Sequence, residues 1–206
     1  MAKKRSENQA ELDALVTCRR QLTHVRTEQT NRRQSTSSKS ARKAIDAVLK
    51  SINKQIEGLD GQIRKLIESD DDFNSTDQLL RSVPGVGAVL SSTLLAELNE
   101  LGSTDRRCIS SLVGVAPMNS DSGRNKGKRT IRGGRAPVRS VLYMATIAAI
   151  RFNPVISRFA ERLQKAGKLS KVTITACMRK LLTLLNAMVR DNLTWEQLNV
   201  VRTLEK

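Results

Sequence analysis

Aromatic side chains are almost missing: Phe73, Tyr143, Phe152, Phe159 and Trp195 are the whole set, 2% of the chain. An RRM- or OB-type platform stacks bases on several exposed rings carried by strands, so that class of nucleic-acid reader is excluded. Histidine occurs once, at His24, and the three cysteines Cys18, Cys108 and Cys177 stand far apart with no C-x-x-C pair. This argues against a zinc site and for reduced thiols in a cytosolic setting. No apolar run reaches about 18 residues, so no membrane span is expected, and no signal peptide precedes the first helical pattern. From Ser103 to Arg190 the acidic residues are Asp105, Asp121 and Glu161 alone. A carboxylate-type nuclease needs about three acids converging on Mg²⁺. These three fall on a helix cap, in a loop and on a polar helix face, so no self-contained metal site is expected.

What the chain has is positive charge. At 206 residues it is long enough for one or two domains with a real core, and it carries a net charge of +16 and a pI near 10.5. A polyanionic partner follows. Nucleic acid is the first candidate, because neutralised phosphates release counterions and supply much of the affinity; a membrane surface is the second.

The segment from about Ser6 to Arg33 has a sparse apolar stripe, Leu15, Cys18, Leu22 and Val25. Hydroxyl residues from Gln34 to Ser40 then favour a turn. Beyond it, Ile45, Leu49, Ile52, Ile56, Leu59, Ile63 and Leu66 repeat at spacings of four and three, the seam of a coiled coil. Two helices joined by that turn predict an antiparallel hairpin with arms on the order of 40 Å long, at about 1.5 Å per residue. It can serve as a spacer, or as an oligomerising or nucleic-acid-bridging arm. The acidic stretch Asp70 to Thr76 is expected as a break and domain boundary, giving residues 1–72 and 73–206.

In the second part, Pro84, Gly85, Val86 and Gly87 make a tight turn before a helix over Ala88 to Leu98, with the look of a helix-hairpin-helix element. Its glycines would expose N–H groups at a helix N-terminus, where the dipole favours a phosphate; an ordinary turn between two core helices is the other reading. Ser103 or Thr104 is expected to cap a short helix through Leu112, ended by Gly114. Thr130 and Ile131 can pair briefly as a strand. Helices then follow from Pro137 to about Arg151, from Asn153-Pro154 to near Gly167, and from a Ser170 cap onward. Thr194 and Gln197 flank Trp195 as a capping box. Tyr143, in an apolar run, is expected in the core rather than as a nucleophile.

The most distinctive stretch is Pro117 to Arg139. Seven basic residues, Arg124, Lys126, Lys128, Arg129, Arg132, Arg135 and Arg139, occur between positions 124 and 139 with no acidic one. Four glycines interrupt helix and let the backbone approach an anion. Asp121-Ser-Gly123 stands at its entrance. On its own the triplet reads as a turn; beside the arginines Ser122 can be a nucleophile toward a phosphodiester, with Asp121 orienting it.

The runs Leu80 to Gly87, Leu112 to Gly123, Gly127 to Arg135, Val141 to Met144 and Ala176 to Met188 together resemble the C-terminal transposase domain of the bridge-RNA-guided insertion-sequence recombinases of the IS-one-ten type. The resemblance covers roughly residues 79 to 195, and the heptad hairpin resembles that family's coiled-coil linker. It implies that Ser122 forms a phosphoserine link to DNA, that the basic loop and the helix-hairpin-helix element hold DNA or guide RNA, and that members act as oligomers in the bacterial cytoplasm on the nucleoid. It also implies an N-terminal RuvC-like domain whose four acidic residues bind Mg²⁺. This sequence starts at the coiled coil, so the expectation is a truncated or split transposase, with no cofactor of its own and Mg²⁺ only alongside a RuvC-like domain.

The reading is an all-α protein: an antiparallel coiled-coil hairpin followed by a compact helical domain with a helix-hairpin-helix element and a basic, glycine-rich loop. The expected site is Ser122 and Asp121 for chemistry, with Pro84, Gly85, Val86, Gly87 and the seven loop cations on DNA. Expected partners are DNA, a guide RNA and further copies of the chain, with no membrane. Two other classes stay open. One is a non-catalytic nucleic-acid-binding protein derived from such an element, and the other is an interaction module tethered to a full-length enzyme through the coiled coil.

Overall fold

The computed structural model describes residues 7–119, 121–122, 125–127 and 129–198, with the backbone alone at 121, 122, 125 and 126. Apart from two short strands, its regular structure is helical, as the composition leads one to expect. The chain divides into two compact units, residues 1–74 and 75–206.

The first unit is built on two long helices, α1 (Glu7–Ser35) and α2 (Lys39–Ser69). Ser38 caps α2 by accepting the Ala41 N–H. The helices run antiparallel, because Asn8 bonds Asp70 while Arg19 pairs with Asp60 and Arg33 with Asp46. On α2 the expected seam is present: Ile52, Ile56 and Ile63 are buried, with Ile67 joining them where Leu66 is only half-buried. On α1 the expected stripe is rotated. Cys18 and Val25 are exposed, and the inward line is Leu12, Val16 and Arg19. The reason is that α1 has too few apolar residues after Val16 to define a face, so the two arginine–aspartate pairs set its rotation. Thr23, Thr27 and Thr30 satisfy their hydroxyls on carbonyls one turn back, which keeps polar groups on this helix from competing with the pairing.

The expected polar break narrows to one residue. Asp70 ends α2 and begins α3 (Asp71–Arg81), its carboxylate accepting the Phe73 N–H at 3.1 Å and the Asn8 amide at 2.9 Å. The Asn8 bond and then the Phe73 N–H hold that carboxyl below its ordinary range. Asp71 and Asp72 fall in the first turn, where the helix dipole favours negative charge, so acidity here starts a helix instead of ending one.

The second unit packs α4 (Ala88–Glu97), α5 (Arg106–Val113), α6 (Ala136–Phe152) and α7 (Pro154–Lys165) with α8 (Ser170–Asp191). Its core includes Leu80, Leu94, Ile109, Leu142, Ile156, Leu181 and Leu185, all with no exposed surface. The α8 helix is long and apolar enough to cross a membrane, but half of that stretch is buried against this unit, and α5, α6 and α7 all pack on it. The side chain of Asn186, buried on α8, accepts the Gly102 N–H and donates to the Thr104 carbonyl, fixing the connection between α4 and α5. Two expected caps move by a residue or two. Asp105, rather than Ser103 or Thr104, caps α5 by accepting the Arg107 and Cys108 N–H groups, because a carboxylate takes two donors at once. Leu169, rather than Ser170, precedes α8, leaving that cap without a side-chain bond. Thr194 and Gln197 do form the reciprocal box. Tyr143 is not in the core: α6 buries Val138, Leu142, Thr146 and Ala149, and Tyr143 is 41% exposed one position off that face.

Of the three thiols, Cys177 is buried and its pKa is pushed up to about 11 by that burial, whereas Cys18 and Cys108 are exposed. Ellman's reagent at neutral pH is therefore expected to label two thiols promptly and the third only on unfolding; three fast thiols would contradict the packing of α8.

Candidate nucleic-acid interface

The turn between α3 and α4 is locked from below. Asp77, on α3, accepts from Ser91 on α4 and from Arg81 on its own helix. Gly85 has φ +95°, and a Cβ there would lie 2.6 Å from the Ala149 backbone, so only glycine lets this turn sit on α6. Val86 is buried in the core and Pro84 is half-buried. Gly87, Ala88 and Val89 are exposed, and no side chain caps the start of α4. Of the four turn residues singled out in the sequence, Gly87 thus offers the open position, while Gly85 and Val86 serve packing.

The basic loop begins where α5 ends in Gly114, a left-handed residue. Met118 forms a backbone bridge with Thr130, its N–H donating to the Thr130 carbonyl at 2.9 Å. Thr130 pairs as expected; Ile131 does not. Further out, β1 (Asp121–Ser122) and β2 (Asn125–Lys126) pair antiparallel, with Asp121 opposite Lys126 and Ser122 opposite Asn125. Ser122 therefore occupies the last position of a strand leading into the loop's tip. The side chains of Asp121, Ser122 and Lys126, and all of Arg124 and Lys128, lie outside the described residues.

The loop returns to the helical body through a crossing of main chains. A Cβ on Gly134 would lie 2.7 Å from the Gly114 Cα, and one on Gly114 would strike the Gly133 carbonyl. Gly114, Gly133 and Gly134 all have positive φ. The Arg135 N–H donates to the Leu112 carbonyl at 2.8 Å. The Arg135 guanidinium makes two parallel bonds of 2.6 Å to the Glu100 carboxylate, the planar fork that arginine alone provides. Arg139 donates to the carbonyls of Val113 and Gly133. Two of the seven expected phosphate ligands thus hold the base of the loop. Arg129 and Arg132 are exposed and, among the described residues, have no ion-pair or hydrogen-bond partner. Glu100 and the second role of Gly114 were not visible in the sequence; the paired glycines at 133 and 134 were the only hint of a close crossing. Among the described residues no three histidine, cysteine or acidic side chains gather, so these residues do not fit a Mg²⁺ site.

Residues 77–161 match the Transposase IS116/IS110/IS902 family. It is 32% identical over 196 residues to the pilin gene-inverting protein of Moraxella bovis, an alignment covering 91% of this chain and 59% of that protein. The counterpart from Moraxella lacunata matches with the same identity and coverage. A protein named for insertion element IS110 in Streptomyces coelicolor is 25% identical over 155 residues, 74% of this chain and 37% of its own length. The chain thus spans about three fifths of the pilin gene-inverting relatives, 59% of their length.

Two substitutions probe the crossing. Gly134→Ala combines left-handed strain with overpacking and should destabilise the second unit by on the order of 3 kcal/mol. Gly133→Ala has open space around its Cβ and should cost about 1 kcal/mol; equal urea midpoints for the two would remove the crossing from the account. The Glu100 carboxyl is held below its ordinary range, chiefly by the Arg135 hydrogen bonds. Its contribution is present above about pH 4.3, the unfolded value, and is lost as pH falls through the lower folded one. Both groups are about one third exposed, so screening keeps the effect below about 1 kcal/mol. Glu100→Gln should flatten that part of the acid limb in a melting-temperature series.

Proposed function

We propose that this chain handles DNA strands in transposition or inversion, with Ser122 as the nucleophile. The Ser122 oxygen attacks phosphorus, the bond from phosphorus to a deoxyribose oxygen breaks, and a phosphoserine diester links protein to DNA. The serine proton passes to Asp121 or water, and the leaving oxygen takes up a proton from solvent. Reversal by a different sugar hydroxyl rejoins the strand without loss of bond energy. Arg124, Lys126, Lys128, Arg129 and Arg132 neutralise the phosphate, while Arg135 and Arg139 keep the loop's base in register. Gly87, at the uncapped start of α4, takes a second phosphate on backbone N–H groups.

The observation that carries this reading is the position of Ser122: the last residue of a strand, in a loop anchored at its base, followed by Arg129 and Arg132, which are exposed and have no partner among the described residues. The family match at residues 77–161 and the gene-inverting name of the Moraxella relatives support it. Under the same proposal, metal-binding carboxylates come from a RuvC-like domain, a guide RNA selects the target, and the α1–α2 arm joins copies of the chain.

The test is covalent trapping on element-end DNA, with Mg²⁺ and RNA transcribed from the flanking locus, resolved on a denaturing gel. Ser122→Ala should abolish the adduct while leaving DNA affinity within about twofold, since phosphate contacts position the strand independently of the nucleophile. An adduct that survives Ser122→Ala would remove this serine from the chemistry. Binding without an adduct, even with a RuvC-like domain added, would favour a non-catalytic nucleic-acid-binding protein.

A further inference from the structure

A cleft of about 710 Å³ opens between the first turn of α5, the middle of α8 and α7, with Ala116 and Pro117 on its wall. Arg106, Arg107, Arg179 and Lys180 line it, and among the described residues no acidic one does. Asp105, next to the cleft in sequence, accepts the Arg107 and Cys108 N–H groups as the α5 cap and is held below its ordinary range by the Cys108 and Arg107 N–H groups, with smaller help from the charges of Arg107 and Arg106. Arg179 is exposed and, among the described residues, has no ion-pair or hydrogen-bond partner. Lys180 is held in place: its ammonium lies 4.4 Å from the centre of the Phe159 ring, and that ring packs against the core. Four cations around one cavity repel one another, and a polyanion removes that repulsion. Such a volume is within the range of about 300–1,000 Å³ that encloses a small ligand, enough for a short piece of nucleic-acid backbone.

We propose that this cleft is a phosphodiester-backbone site that holds the strand beside the phosphate attacked at Ser122; only the second half of that statement rests on the reading of Ser122 given above. Pro117 and Ser122 are five residues apart, so their Cα atoms are at most about 18 Å apart at some 3.5 Å per residue. At about 3.4 Å per phosphate along one strand of a duplex, the cleft lies within roughly five nucleotides of the reaction. The ligand chemistry is the phosphate diester, which DNA and RNA share. Recognition is through charge and not base stacking, because the ring of Phe159, which lines the cleft, is already covered by Lys180.

The test uses the full chain and two fluorescent probes, a DNA duplex of about 20 base pairs and a single-stranded RNA of about 20 nucleotides, titrated by anisotropy across a salt series. Arg107→Gln with Arg179→Gln should lower the slope of log K against log salt by about 2 and weaken binding about tenfold or more. Loss for the duplex alone assigns the cleft to DNA, loss for the RNA alone to RNA, and loss for both to the shared backbone. Arg64→Gln with Lys65→Gln, exposed on α2, removes as much charge and should leave the slope unchanged. Unchanged slopes in the cleft variant, or an equal fall in the α2 variant, would overturn the proposal. Should the double variant fail to fold by circular dichroism, Arg179→Gln alone carries the same expectation, with a change of about 1. Covalent trapping serves as the separate control: an adduct that survives Ser122→Ala, or no adduct even with a RuvC-like domain added, defeats the serine reading, while a slope change in the cleft variant keeps the backbone site.

Discussion

Two main chains crossing at van der Waals distance, Gly114 over Gly133 and Gly134, make the basic loop part of the second unit. A side chain at Gly114 or Gly134 would push the strands apart. Everything at the loop's base assumes this contact. The Arg135 N–H reaches the Leu112 carbonyl, and Arg139 reaches across to both Val113 and Gly133, because the chains are that close. The Glu100–Arg135 fork then adds a charge-assisted clamp on the outside. Further along the loop, Asp121 and Ser122 pair with Lys126 and Asn125.

Much of the architecture was legible because it is written in apolar spacing. The α2 seam shows in its isoleucines, and the helices of the second unit show in their caps, prolines and glycines. The α1 face was not legible, since its rotation is decided by Arg19 and Arg33 finding Asp60 and Asp46, contacts between residues 41 and 13 positions apart. Charged side chains look alike in a sequence whether they face water or a partner. The same blindness affected the site. Arg135 and Arg139 read as phosphate ligands alongside Arg129 and Arg132, and only the approach of Glu100 and of two carbonyls separates the pairs. At the α3–α4 turn the glycines were visible, but the reason for Gly85 is Ala149, which lies on another helix.

The positive charge of the second unit is therefore of two kinds. Some guanidiniums act as internal fasteners, satisfied by carboxylate or carbonyl oxygens. Others, including Arg129, Arg132 and Arg179, are exposed and have no ion-pair or hydrogen-bond partner among the described residues. A net charge of +16 describes neither group alone. Attraction of a polyanion over a distance draws on all of it, whereas holding a strand in one place depends on the second kind.

The loop is anchored at its base by the crossing of Gly114 with Gly133 and Gly134 and by the side chains of Arg135 and Arg139. Among the described residues between the Met118–Thr130 bridge, Asn119, Gly127 and Arg129 are exposed and take no part in the core cluster of the second unit. Substitution at these three exposed positions removes no core contact, so the stability of the second unit rests on the loop's base rather than on them.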